Sequence, residues 1–374
     1  MQLQLTSDQE FFRDTTARFL DAHASVEAVR SLRHDDLGFD PALWRRGAEL
    51  GWTSLLVGED HGGGSVSGSG LVDLSLVAHE FGRRAAPGPL VATNVVAGAL
   101  SAASAHLDLL ARLLDGSAVA TWCHAEPRAG LGDVALEIRP DGDALVLDGV
   151  KRPVEAATAA THLLVTGRTG DGLTQVVVPA DAPGVTITPL RSVDLTRRFG
   201  AVRFDGVRVP ATSVLGQVGK ADEDVERQLQ HALVLLNAES VGAMERAFEM
   251  TVEWSFDRYS FGRPLASYQA LKHRFAHMKS WLEAGHALGD EAAEAVAAGG
   301  PQAATLASAA KAFIGEYGSE LLQDCVQLHG GIGVTYEHDL HLYLRRHTVD
   351  RALFGTPSEH RRRIVDLIER EEAA

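Results

Sequence analysis

Apolar residues recur at helical spacing early in the chain, give way to short β-branched runs, and return to helical spacing for the rest of its length. Phe11, Phe12, Thr15, Phe19 and Leu20 mark the inner side of a first helix, opened by a capping box on Ser7 and Glu10. Asp40-Pro41 supplies the N-cap and first-turn proline of a second, with Leu43, Trp44, Ala48 and Leu50 inward and Gly51-Trp52 ending it. Further helices are predicted over 71–84 and 92–114, with Pro87-Gly88-Pro89 between them. The glycine- and serine-rich stretch 62–70 has no preceding strand and no GK[ST] ending, so it reads as a loop rather than a phosphate cradle.

From about Ser117 the runs at 119–123, 144–147, 162–166, 175–178, 185–188 and 202–210 are strand-like. Asp141-Gly142, Asp148-Gly149 and Asp171-Gly172 stand between them as turn pairs. Successive strands without intervening helices predict an antiparallel β-domain, a barrel or sandwich. Helices follow over 225–255, 268–298, 303–328, 340–353 and 359–371, and their short connections predict an antiparallel four-helix bundle. The fold class is therefore α+β: an all-α domain over 1–116, a β-domain over 117–222 and a helical bundle over 223–374.

A formal charge of −15 argues against a nucleic-acid partner. Arg345-Arg346 and Arg361-Arg362-Arg363 read as solvated helix faces. The two cysteines, Cys123 and Cys325, lack metal-site or redox spacing and suit a reducing compartment. The N-terminal residues lack the basic start and apolar core of a secretory leader, and no apolar run approaches the ~20 residues of a membrane span, so the expected location is the cytoplasm.

Two motifs carry chemistry. Gln327-Leu-His329-Gly330-Gly331-Ile-Gly333 ends an apolar helical run, and its glycines let backbone lie against a ligand. Upstream stands Arg258-Tyr-Ser-Phe261-Gly262-Arg-Pro, followed by Gln269. This pair, RxxFGxP…Q with QxHGGxG, on an α, β, α-bundle order, resembles the acyl-CoA dehydrogenase family across nearly the whole chain. The resemblance implies FAD in the cleft between β-domain and bundle, and α,β-dehydrogenation of an acyl-CoA thioester. It also implies an electron-accepting flavoprotein as a partner. It assigns Arg258, Phe261, Gln269, Gln327, Gly330 and Gly331 to the adenine and diphosphate half of a neighbouring subunit's FAD. A planar, permanent cation such as Arg258 suits a diphosphate.

The chain departs from the family pattern elsewhere. Where the family's EGT motif supplies the glutamate base, this chain reads Phe354-Gly355-Thr356, and phenylalanine cannot accept a proton. The alternative base position on the first bundle helix reads His231-Ala232-Leu233. The TEPGAGSD loop appears as Ala125-Glu126-Pro127-Arg128-Ala129-Gly130-Leu131-Gly132-Asp133. In the GQKxWITN strand, Pro153 and Glu155 replace a flavin-covering tryptophan and a flavin-bonding threonine. The negative charge of Glu155 is expected to oppose a reduced flavin. Glu239 and Glu245, candidate substitute bases, are expected to face solvent. His338 and His341 have metal-like spacing but no carboxylates around them, and no metal is expected.

Together these point to a family subunit with no catalytic residue of its own, donating FAD contacts to a paralogous partner that supplies the glutamate. Some actinobacterial family members of steroid side-chain degradation pair in this way as α2β2 complexes, which suggests a bulky, steroid-like acyl group. Three alternatives stand beside it: a self-sufficient, homo-oligomeric dehydrogenase with a relocated base such as Glu239 or Glu155, a flavin monooxygenase on the same fold, and a non-enzymatic scaffold.

Overall fold

Helices open the chain in the computed structural model, which describes residues 4–170 and 172–373. They are α1 (Ser7–His23), α2 (Val26–Ser31), α3 (Pro41–Glu49), α4 (Gly70–Arg84), α5 (Leu90–Ala102) and α6 (Leu107–Leu114). The cap of α1 lies one residue before its predicted place. Thr6 Oγ1 accepts from the Gln9 amide at 3.2 Å, and the Gln9 side chain accepts from the Thr6 amide at 3.1 Å. The buried side of the helix carries Gln9, Thr16 and Leu20, whereas Phe11 is 69% exposed. Asp40 caps α3 as expected, accepting from Ala42 N at 2.8 Å. The helix expected over 92–114 is two, α5 and α6, because Ser104 and His106 adopt left-handed backbone (φ 48° and 53°). Both pieces keep their apolar sides on one core, which is why the spacing runs on through the break.

The strands are β1 (Ala120–Cys123), β2 (Glu137–Asp141), β3 (Ala144–Glu155), β4 (His162–Thr169), β5 (Gly172–Pro179), β6 (Val185–Leu190), β7 (Phe199–Pro210) and β8 (Val214–Leu215). They form one sheet in the order β6-β7-β3-β2-β4-β5-β8, with β1 added beside β4. The pairing is antiparallel except that β1 and one pair of β2 run parallel to β4. β1 enters from a helix and pairs with a strand distant in sequence, so no hairpin fixes its direction. β2 carried no strand signal, since Ile138 is its single buried residue. Asp148-Gly149 is a bulge within β3 rather than a turn, placing Gly149 where a Cβ would meet Leu136 at 2.9 Å. Asp171, of the third turn pair, lies outside the described residues.

The last stretch contains α7 (Asp222–Asp257), a hairpin of β9 (Tyr259–Ser260) and β10 (Arg263–Pro264), then α8 (Gln269–Ala297), α9 (Ala303–His329), α10 (Leu340–Ala352) and α11 (Pro357–Ala373). α7, α8 and α9 pack on one another, with α10 and α11 laid against them. Helix α7 also lies directly on α4. A Cβ at Gly82 would collide with the Glu239 carbonyl oxygen, and one at Gly242 with that of His79. Two glycines facing opposite backbones bring these helices closer than side chains allow.

A buried charge network joins the sheet to the bundle. Arg346 pairs with Asp194 at 2.5 Å and with Glu239, and donates to the Ala85 and Ala86 carbonyls. Arg197 pairs with Glu155 at 2.7 Å, with Glu239 at 3.3 Å and with Asp350. Two expectations are corrected here. Arg346 is 1% exposed rather than part of a solvated face, and Glu239 is buried rather than solvent-facing. Each is held inside because its counter-charges come from other elements, which helical spacing does not reveal.

Candidate functional site

A cleft of about 180 Å³ opens where α5, the end of β1, the loop 125–133, the end of β3 and residues 352–355 meet. Three stacked rings form one wall. Trp122, on β1, lies between His124 (centroids 4.5 Å, planes 22°) and Phe354 (5.4 Å, 19°). The Trp122 indole N–H donates to Thr166 Oγ1 at 2.9 Å, which fixes the middle ring. Phe354 follows the last residue of α10 by two positions and sits in left-handed backbone (φ 52°), an uncommon state for so bulky a residue. Its carbonyl is 2.9 Å from His360 Nε2, so the turn that carries the ring is tied to α11. Burial holds the His124 imidazole down at about 3, with the Lys151 charge adding to the effect, so this ring is neutral at ordinary pH.

Carboxylates line the cleft, and each is already engaged. Glu126 accepts from the Ala135 and Leu136 amides, both at 2.9 Å, and from Lys151 Nζ at 2.6 Å. Asp133 accepts from the Gly130 amide at 2.9 Å. Glu155 is paired with Arg197, so the negative charge expected at the flavin edge is compensated. Glu359 accepts from the Thr356 amide at 2.8 Å and its hydroxyl at 2.7 Å, capping α11. Glu239 lies inside the charge network, and Glu245 pairs with Arg83 at 2.8 Å. Among the described residues of this cleft, every lining carboxylate has a hydrogen-bond or ion-pair partner.

The cleft is narrow, about 180 Å³, and a stack of protein rings forms one wall.

The six residues assigned to FAD by resemblance lie elsewhere, and none lines the cleft. Arg258 is the exposed residue that ends α7. Phe261 sits at the tip of the β9–β10 hairpin, 97% exposed, with Phe261 and Gly262 both at positive φ. Gln269 opens α8, and Gln327 stands exposed on the last turn of α9. Gly330 and Gly331 follow, with open space where a Cβ would project. Ring and ion contacts bring these pieces to one end of the bundle. Trp254, one turn before Arg258, stacks on His329 at 5.4 Å, and Arg274 on α8 pairs with Asp324 on α9 at 2.5 Å. His338 and His341 do not form a cluster: the former accepts from the Leu340 amide, and the latter lies 3.3 Å from the Tyr336 carbonyl.

Sequence reasoning missed the Trp122–His124 stack and Arg197. Val119-Ala-Thr-Trp-Cys gave only a buried strand, because its ring partner arrives from the far end of the chain.

A helical layer, a sheet and a helical bundle meeting at such a cleft define the flavoprotein dehydrogenase fold. Residues 6–107 match "Acyl-CoA dehydrogenase, N-terminal domain" and 223–368 match "Acyl-CoA dehydrogenase, C-terminal domain", and the chain belongs to the acyl-CoA dehydrogenase family. Members of this family are FAD-binding oxidoreductases that act on CH–CH bonds. Among its relatives is "Acyl-CoA dehydrogenase IpdE2" of Mycolicibacterium smegmatis, 31% identical over 364 residues, covering 96% of this chain and 98% of the relative. A solved variant of the "Tcur3481-Tcur3483 steroid ACAD" superimposes with a TM-score of 0.89 at 28% identity, covering 98% of this chain and 99% of that one. A glutaryl-CoA dehydrogenase from Mycobacterium smegmatis in complex with FADH2 shares the fold, with a TM-score of 0.87 at 21% identity, over 97% and 95% of the two chains. No helix among the described residues is long and apolar enough to cross a membrane.

Proposed function

We propose that this chain is the base-lacking subunit of a heteromeric acyl-CoA dehydrogenase. Its partner subunit would supply the glutamate and the cleft that holds FAD. The observation that carries this reading is Phe354 at the base position, packed on Trp122 inside a cleft whose carboxylates are all engaged. FAD held by the partner would supply the hydride acceptor for the substrate β-carbon. This chain's part is binding: Arg258 for the diphosphate, Gln327 and the Gly330 and Gly331 backbone for neutral hydrogen bonds, Phe261 and Gln269 beside the adenine half. Their exposure leaves them available to a neighbour, as do Tyr259 (63% exposed) and Val334 (77%) around them. A charge-assisted contact from Arg258 is the strong member of the set.

The two-component name of the steroid enzyme with 28% identity supports both the pairing and a bulky acyl group. A relocated base is disfavoured, since Glu155 and Glu239 are held by Arg197 and Arg346. The reading includes an electron-accepting flavoprotein as redox partner of the complex.

The test is co-expression with a homologue that keeps the EGT glutamate. Mass and flavin absorbance are measured on one sample, followed by dye reduction with linear and steroid acyl-CoA thioesters. Two flavins per four chains, with turnover only in the complex, is the expected result. A flavin-loaded homo-oligomer of this chain that oxidises acyl-CoA by itself would overturn it.

A further inference from the structure

Away from the cleft and the flavin-facing surface, helices α4, α7 and α8 bring two imidazoles and a carboxylate together. His79 Nε2 lies 3.0 Å from Glu245 Oε2, and His286 Nε2 lies 3.8 Å from Glu245 Oε1. One ligand atom from each residue falls within 4.8 Å of the other two. Three side chains this close are the donor set of a divalent transition metal, and the spacing fits. Ligands at about 2.1 Å in a tetrahedron stand about 3.4 Å apart, inside the 4.8 Å spread of these three ligand atoms. We propose that His79, Glu245 and His286 form a structural zinc-type site that fastens the N-terminal helix α4 to the bundle.

Four further features fit that assignment. His79 is largely buried, with Nε2 turned to Glu245 and Nδ1 to Glu80, so the ring is aimed into the cluster. Second, a small cavity of about 20 Å³ adjoins the cluster, lined by Ser75, His79, Gly285, His286, Gly289 and Asp290. A single water needs about 10–15 Å³, so the space admits one fourth ligand and little else. Third, metal-bound histidines are usually oriented by an outer carboxylate, and Glu80 Oε1 lies 3.5 Å from His79 Nδ1. Fourth, the backbone forces the approach: Gly242 packs on the His79 carbonyl and Gly285 on the Val241 side chain, so α4 and α8 flank α7 beside Glu245.

Arg83 is the feature that opposes a cation here, since it pairs with Glu245 Oε2 at 2.8 Å. Its charge is shared with Glu249, to which it donates at 2.8 and 3.1 Å. Oε1 of Glu245, the oxygen that faces His286, is left for the ion. The coordination is then monodentate, with Arg83 holding the other oxygen. Nickel and copper use similar donors, but a two-imidazole, one-carboxylate, one-water tetrahedron fits zinc chemistry.

The full-length chain, stripped with a chelator and dialysed, is titrated with Zn2+ by calorimetry, and bound metal is counted by mass spectrometry of the intact protein. One ion per chain is expected, together with a rise in Tm on loading. Co2+ in its place should give the intense visible bands of a tetrahedral site, a readout that needs no variant. His286→Gln and Glu245→Gln are expected to reduce bound metal at least tenfold. Glu80→Gln, which keeps the ligands, should weaken affinity 10- to 100-fold. His338→Ala, on a histidine outside the cluster, should leave binding unchanged. Absence of binding by the folded wild-type chain overturns the assignment. So does stoichiometric binding that survives His286→Gln, or a Co2+ spectrum of octahedral type.

Discussion

Phe354 lies almost parallel to Trp122, ring centroids 5.4 Å apart and planes 19° apart, at the position that the proposed function gives to the family's carboxylate. On that reading the replacement is more than a lost base. An ionised carboxylate against an indole face would be desolvated without a partner, whereas a phenyl ring there gains packing. Phe354→Glu is therefore expected to give no acyl-CoA oxidation by the isolated chain and to lower stability by ~1–3 kcal/mol, read by urea denaturation. Dye reduction appearing in this variant would show that the cleft still receives a flavin.

Arg258 stands in solvent, so its removal should barely touch the fold. Arg258→Ala is expected to change stability by less than about 0.5 kcal/mol, the ordinary range for surface positions. Flavin content of the co-purified complex should nevertheless drop severalfold, because the neutral methyl cannot replace a phosphate-reading guanidinium. Absorbance of the mutant complex equal to that of the wild type would remove Arg258 from the cofactor site.

The Arg197–Arg346 network predicts strong and non-additive mutational costs. Arg346→Ala leaves Asp194 and Glu239 buried beside too little positive charge and is expected to cost ~3–5 kcal/mol. Glu239→Gln in the same background should then cost much less than it does alone, since it removes one of those stranded charges. A double-mutant cycle by chemical denaturation measures this. Simple additivity of the two changes would show that Arg346 and Glu239 do not act as a unit.

Stability should fall in mild acid. His347 and His360 are fully buried, and burial holds both imidazoles down at about 4. In the unfolded chain each takes up a proton below about 6.5. Between those values the unfolded state binds more protons, so the folded state loses ground as pH drops from 6.5 toward 4. By pH 5 the expected loss is on the order of 1–2 kcal/mol for each ring. A His347→Gln, His360→Gln double variant, if it folds, should show a flatter profile over that window; an unchanged slope would assign the acid sensitivity to other groups.

Much of the fold was legible because helices with one apolar side announce themselves by period, as α3, α8 and α9 did. Ambiguity entered where tertiary contacts overrule local pattern. Ser104 and His106 break a helix whose apolar spacing continues, and β2 is a strand with a single buried residue. The proposed base position could be picked out because Phe354 stands in the short motif Phe354-Gly355-Thr356. The charges around it could not. Glu155 looked like an uncompensated anion until Arg197 came from a distant loop to meet it, and Glu239 looked exposed on a helix bearing many charges. Long-range pairing of opposite charges leaves no periodic trace in a sequence.

That pairing also restricts how such a chain can change over generations. Arg197, Asp194 and Glu155 come from the sheet segment, while Glu239, Arg346 and Asp350 come from the helices after it. A recombinant that took its middle segment from one paralogue and its bundle from another would inherit half of a buried ion cluster. The two segments are therefore expected to function only when inherited together, since each carries half of the buried cluster.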